Sequence, residues 1–293
     1  MEDSSPALLE AVAALTLEID RLVIAGHRAA APFARQLREE LGLNHMQDFG
    51  VLPTCRRLLL VPHGMTLAEG LALNRYHPPE EVKSTLQRHV DEDLLTSGGS
   101  RYAVTPSGRM LLIRLTSMLQ TAIDSLWTDG ATVRGAVTAA SALLKAVPAL
   151  PRALYPAFSA DRAGYLPRDA SPAFRLWSTL GTLRYLRADA HALAWRDAGL
   201  SAPEIVALTG LCAGCLAAGN PESLHGPALL ALHALASRGL AHRCGTWEAT
   251  DAGRALRTAI ELQTNECHAR ALHSLGTATP QGLVERLRLL PPT

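Results

Sequence analysis

A mainly α-helical fold with small β-wings is what this sequence predicts, and three observations carry it. Apolar residues recur at helical spacing from the start, with Leu9, Val12, Ala13, Leu17, Ile19 and Leu22. Leu94-Leu95 and Tyr102-Ala103-Val104 read as two short strands joined by a Gly98-Gly99 turn. The segment that closes this hairpin recurs far downstream: Val104-Thr105-Pro106-Ser107-Gly108-Arg109-Met110-Leu111 matches Ala249-Thr250-Asp251-Ala252-Gly253-Arg254-Ala255-Leu256. Each copy follows an aromatic residue, Tyr102 or Trp247.

Taken in order, residues 6–38 form a helical pattern in which Gly26 and Pro32 mark breaks. Residues 51–61 predict a shorter helix, ended by the turn Pro62-His63-Gly64. Thr66 caps the next helix, and Glu69 completes a capping box; that helix runs to about Arg75. Pro78 and Pro79 open a helix over 80–91, where proline is tolerated and the acids suit the positive end of the dipole. After the hairpin, Thr105 caps a long helix from Pro106 to about Trp127. Two short helices, strand-turn-strand and a long helix make a winged helix.

The second copy is prepared in the same way. Ser201 and Glu204 form another capping box, and a helix over 224–237 with a turn at Arg238-Gly239 leads into Leu240-Ala241-His242. Thr250 caps the closing helix, and Gly108 and Gly253 stand where that helix needs a close approach. The plan is therefore two winged-helix units joined by a helical middle segment. Residues 1–130 hold the first with flanking helices, 131–200 a connector, and 201–293 the second with C-terminal helices. Within the connector, 150–172 is rich in Pro and Arg and poorly periodic, yet offers Tyr155, Phe158, Tyr165 and Leu166 for docking. It reads as an ordered loop that either closes over a site or plugs the two domains together.

Residues 45–127 resemble the winged helix of MarR-type regulators, whose wing ends in a T-x-x-G-R segment leading into a dimerisation helix. The resemblance implies duplex DNA as a partner of this unit, and a homodimer. Residues 150–290 are similar to a little-characterised actinobacterial helix-turn-helix family. Its members carry an R-x-D-x-H helix, here Arg187, Asp189 and His191, and later I-E-x-x-T and L-G segments, here Ile260-Glu261, Thr264 and Leu275-Gly276. That family implies no established activity, because a fold does not fix function.

Within the connector, residues 177–195 predict a helix that puts Trp177, Arg184, Arg187, His191 and Trp195 on or near one face. Charges are seldom buried unless paired, so this face suits a polar, partly enclosed cavity. Arg184 and Arg187 would take an anionic or carbonyl group, Trp177 and Trp195 would supply apolar walls, and part of 150–172 would close it. His191 would hydrogen-bond the ligand, or serve as acid or base in an enzyme. Tyr185 lies one turn from Asp189, beside which it is expected. The competing account ties the arginines to acids across a domain interface and leaves no room for a ligand.

For DNA, the first unit offers Lys83, Ser84, Gln87 and Arg88 on its second helix and Arg101 in the wing. Glu80, Glu81, Asp91, Glu92 and Asp93 oppose them on the same segment. The second unit's corresponding helix presents His225 and His233 and no Lys or Arg before Arg238, so it is apolar enough to be buried and is a poor DNA reader. Two functions follow. One is a ligand-responsive regulator with DNA at the first unit and a small molecule sensed between the halves. The other is a scaffold that has given up DNA and binds or transforms a metabolite, in a biosynthetic or resistance role.

Composition narrows the setting. The chain has five cysteines, an odd number, which suits a reducing cytoplasm rather than a disulfide framework. Its only lysines are Lys83 and Lys145, a bias that fits a GC-rich bacterial genome. The net charge of +1 argues against a generally basic nucleic-acid binder. No stretch suits a membrane span or a secretory signal, so no membrane partner is expected. Cys212 and Cys215 form a CxxC without a second close pair, so small buried cysteines are favoured over a metal site, and no cofactor motif appears.

Overall fold

Short amphipathic helices are not stable alone, and the chain solves this by wrapping its helices around one long one. The structure, a computed structural model, describes residues 5–41, 64–162, 166–214, 227–273, 276 and 278–291. The expected helix over 51–61, most of its closing turn, Tyr165, Cys215, His225 and Leu275 lie outside the described residues.

The central element is α7 (Pro172–Asp197), capped by Ser171 and buried along most of its length, including Phe174, Leu180, Leu186, Ala190 and Ala194. The small residues let neighbours approach it closely. Around it pack α1 (Pro6–Leu41), α4 (Pro106–Leu126), α5 (Gly130–Ala146), α6 (Pro156–Arg162) and α10 (Asp251–Leu272), while α11 (Ala278–Arg288) closes over α1 and α5. Leu15, Leu22, Ile123, Leu143, Phe158, Phe174 and Leu180 form the centre of this main core. The outer helix α1 does not break at Gly26 or Pro32 but runs through both. Gly26 is needed for contact: a Cβ there would collide with the indole of Trp177, whose Nε1 donates to the Val23 carbonyl at 3.2 Å. A glycine that signals a break in sequence here marks a helix crossing.

The first winged unit comprises β1 (Met65–Thr66), α2 (Leu67–Leu73), α3 (Pro79–Asp91), β2 (Leu95–Gly98) and β3 (Arg101–Val104), and α4 leaves it. Its sheet is antiparallel with order β1-β3-β2, and Leu95 faces Val104. Strand β1 has no counterpart in the sequence pattern; two residues carry no periodic signal, and only pairing with β3 defines them. The second unit comprises α8 (Ala202–Cys212), α9 (Pro227–Ser237), β4 (Ala241–Cys244) and β5 (Thr246–Ala249), and runs into α10. Here Ala241 faces Ala249, and a single Gly245 separates the strands.

The internal repeat is geometric as well as sequential. Thr66 and Ser201 both cap their helices with complete capping boxes. Both second helices end on a left-handed residue, Asp93 at φ +56° or Gly239 at φ +70°. The following amide, of Leu94 or Leu240, then bonds back to the carbonyl of His89 or Leu235 at 2.9 Å. Thr105 Oγ1 accepts from the Gly108 amide at 2.9 Å and donates to the Asp93 carbonyl at 2.5 Å. Thr250 does the same with Gly253 at 3.0 Å and Gly239 at 2.7 Å. A Cβ on Gly108 would collide with the Leu94 carbonyl oxygen, and one on Gly253 with that of Leu240.

The described residues of 150–172 do not line the cavity at the Arg/His face. They contain α6, which packs on α7 and against α2, and with Arg152, Ala153 and Pro156 they border a separate cavity beside Met65, Ala68 and Leu73. Cys212, the last residue of α8, is exposed, not buried. No described helix is long and apolar enough to cross a membrane.

Candidate functional site

Two turns of α7 bring Arg184, Arg187 and His191 to one cavity of about 370 Å³, together with Ala188. Other elements complete it: Asp20 from α1, Tyr76 from the segment between α2 and α3, Ile205, Val206 and Thr209 from α8, and Arg257 and Glu261 from α10. The cavity thus lies between the first unit, the second unit and the helical body.

This face carries both a cavity and ion pairs. Arg184 Nε donates to Asp20 at 2.7 Å, in a pair about half exposed. Arg187 and Arg257 both donate to the Glu261 carboxylate, and Arg257 Nε also donates to Thr209 Oγ1 at 3.0 Å. Burial alone would raise the Glu261 carboxyl, but the two guanidiniums hold it below its ordinary value. The Tyr76 hydroxyl lies 2.8 Å from His191 Nδ1 and 3.2 Å from the Ala188 carbonyl. Nε2 of His191 lies 3.5 Å from Glu261. Burial lowers the His191 pKa to about 4; Glu261 opposes the shift, and Arg257 and Arg187 add to it. The imidazole is therefore neutral near pH 7. Tyr76 is pushed upward by burial and stays protonated.

Behind this wall is an ion pair with almost no solvent contact. Arg75, 3% exposed in its side chain, meets Asp189, 0% exposed. Asp189 Oδ2 also accepts from the Phe158 amide at 2.8 Å, in the first turn of α6. The carboxylate thus joins α7, α6 and the chain leading into α3.

The expected apolar walls divide differently. Trp195 is buried below the cavity, its ring centroid 6.3 Å from that of Tyr76, and does not line it. Trp177 and Tyr185 border a smaller pocket with His27 and Asp161, which adjoins the cavity at Arg184. Trp177 is on nearly the same side of the helix as His191 but about 21 Å away along its axis, too far to share a wall with it. Ile205 and Val206 supply the apolar wall instead. Tyr76, Thr209 and Arg257 have no local signal in sequence, since nothing but the fold brings them to α7. Glu261 has one: it belongs to the I-E-x-x-T segment, and its carboxylate meets the Arg187 of R-x-D-x-H.

The residues proposed for DNA lie on and beside α3. Val82, Thr85 and Leu86 face inward, leaving Lys83, Ser84 and Gln87 exposed on the outer side. Gln87 donates to Asp91 at 3.0 Å, and Arg88 donates to Thr85 Oγ1 at 3.0 Å. Arg101 donates to the Gly64 carbonyl at 2.9 Å and lies 4.0 Å from Glu69. In the second unit, α9 buries Ala231, Leu232 and Leu235, but it is not buried all round: Leu230 is 71% exposed. His233 is exposed beside it, edge-on to Trp247 at 5.2 Å.

No curated protein and no solved structure matches the chain. Among protein families, one described as a helix-turn-helix family matches residues 111–291, from within α4 through α5, α7 and the second winged unit to the end of α11. Residues 64–105, which carry the first wing and its α3, lie outside that match. The match covers more than half of the sequence, and the chain belongs to this helix-turn-helix family.

Proposed function

We propose that the protein is a cytoplasmic, ligand-responsive winged-helix transcriptional regulator. Its MarR-like first unit meets duplex DNA through Lys83, Ser84 and Gln87 on α3, aided by Arg88 and Arg101. A small molecule with an anionic or carbonyl group is sensed in the cavity by Arg184, Arg187 and His191. The observation that carries this reading is the position of Tyr76. It borders the cavity, its neighbour Arg75 is fixed by Asp189, and α3 begins three residues later. A ligand that moves Tyr76 therefore moves the entry to α3, the element a winged helix lays in the major groove. The first unit's own described core is small, built on Met65, Val82, Leu86 and Leu95, which suits an element that shifts as a body. Met110, 68% exposed, and Ile113, 49% exposed, lie on α4 and suit a homodimer through that helix.

A second reading has its own support. Arg88 and Arg101 are engaged within the chain, and Glu80 and Glu81 are exposed at the start of α3. A scaffold that has given up DNA and binds or transforms a metabolite, with His191 as acid or base, would look the same at this face. Affinity for duplex DNA as a function of salt separates the two. The regulator binds at low salt, and Lys83→Ala/Arg88→Ala/Arg101→Ala flattens the log-log salt slope by about one unit for every phosphate left without its cation. Absence of binding at low salt selects the scaffold.

A further inference from the structure

In the cavity, hydrogen-bond donors exceed acceptors. Two guanidiniums share the Glu261 carboxylate, yet Arg187 Nε is buried with no acceptor. His191 Nε2 is likewise buried without a hydrogen bond. If the Tyr76 hydroxyl donated to Ala188, Nδ1 of the imidazole would carry the proton, and a bare Nε2 lone pair would face a carboxylate. The favourable arrangement has Tyr76 donating to Nδ1, with the proton on Nε2. A buried donor without an acceptor is destabilising, so the site is built to receive one.

Charge and shape restrict which one. Three guanidiniums, of Arg184, Arg187 and Arg257, stand against two carboxylates, of Asp20 and Glu261, leaving one positive charge with His191 neutral. A single anionic group balances it, whereas a second would face Glu261 or Asp20. The remaining wall is apolar, with Ile205 buried and Val206 53% exposed at the cavity. An exposed β-branched side chain at a cavity wall favours an apolar ligand group that covers it. We propose that the ligand is a monocarboxylate with an apolar body. Its oxygens sit between Arg187 and His191, its body lies on Ile205 and Val206, and Glu261 excludes dianions. This rests on the reading of the cavity as the ligand site.

Hexanoate and adipate test it, being six-carbon chains with one and two carboxylates, titrated calorimetrically against the full chain. Wild type binds hexanoate at least tenfold more tightly than adipate, and Glu261→Gln closes that gap by strengthening adipate. Equal affinities in wild type, or a ratio unchanged in Glu261→Gln, overturn the monocarboxylate assignment and leave the cavity reading standing. Arg187→Ala, or Arg187→Gln where the alanine variant fails to fold, loses hexanoate binding. Absence of hexanoate binding in wild type, or binding unaffected by either Arg187 variant, overturns the cavity reading and this inference with it.

Discussion

Asp189 carries its charge with no exposed surface, so its stability depends on Arg75 and the Phe158 amide. Removing one partner of such a pair leaves the other charge buried, which costs about 3–5 kcal/mol. Asp189→Ala should therefore lower the unfolding free energy by about that much in a urea melt. Arg187→Ala should cost about 1 kcal/mol, because its pair is part-exposed and Arg257 still holds Glu261. Equal losses from the two would refute this ranking. The sequence points to Arg187 and His191 because their residue types are unusual on such a helix. It does not point to Arg75, which no pattern distinguishes from the other arginines until the fold sets it against Asp189. Two histidines add a pH dependence. Burial lowers His191 to about 4 and His268 to about 3, with Arg187 adding to the latter. The unfolded chain takes up both protons as pH falls below about 6.5, while the folded chain does not. Their neutral burial thus carries no penalty above that pH, and stability falls as pH drops towards the folded values. The loss is about 1.4 kcal/mol per pH unit for each histidine. Urea melts between pH 7 and pH 5 should show this slope, and His268→Gln should reduce it; a flat profile would contradict the assignment.

The caps and turns of each element are the most legible part of the chain, because their signals are local. Thr66, Thr105, Ser201 and Thr250 all cap as their spacing requires. Where the determinant is distant, the sequence misleads: Gly26 looks like a helix break and is a crossing point with Trp177. Helix α6 is silent in the sequence because seven residues are too few to show a period. The two repeat glycines test the paired geometry. Gly108→Ala and Gly253→Ala each push a methyl group against a backbone carbonyl and should cost about 1–3 kcal/mol. Thermal melts of both variants should shift in the same direction by similar amounts; a neutral result at either site would mean that the two hairpin-to-helix junctions differ.

Across the whole molecule, one helix organises the rest. The face of α7 that carries Arg184, Arg187 and His191 meets the first unit at Tyr76 and the second at Thr209, Arg257 and Glu261. Fold class, both wings and the helix that carries the cavity are readable from residue pattern and internal repeat. The cavity's far walls are not, since they come from other helices and loops that only the fold brings to α7, as in the bond between Tyr76 and His191, 115 residues apart. The proposed regulator requires that occupancy of this cavity changes what α3 does. Linkage makes such an effect reciprocal, and coupled sites typically change each other's affinity by about 5- to 150-fold. The most direct measurement takes duplexes selected by the wild-type protein from a random-sequence pool, and determines their affinity with and without saturating hexanoate. The account predicts a change of fivefold or more that Arg187→Ala abolishes. An affinity that does not change while hexanoate is bound would contradict it.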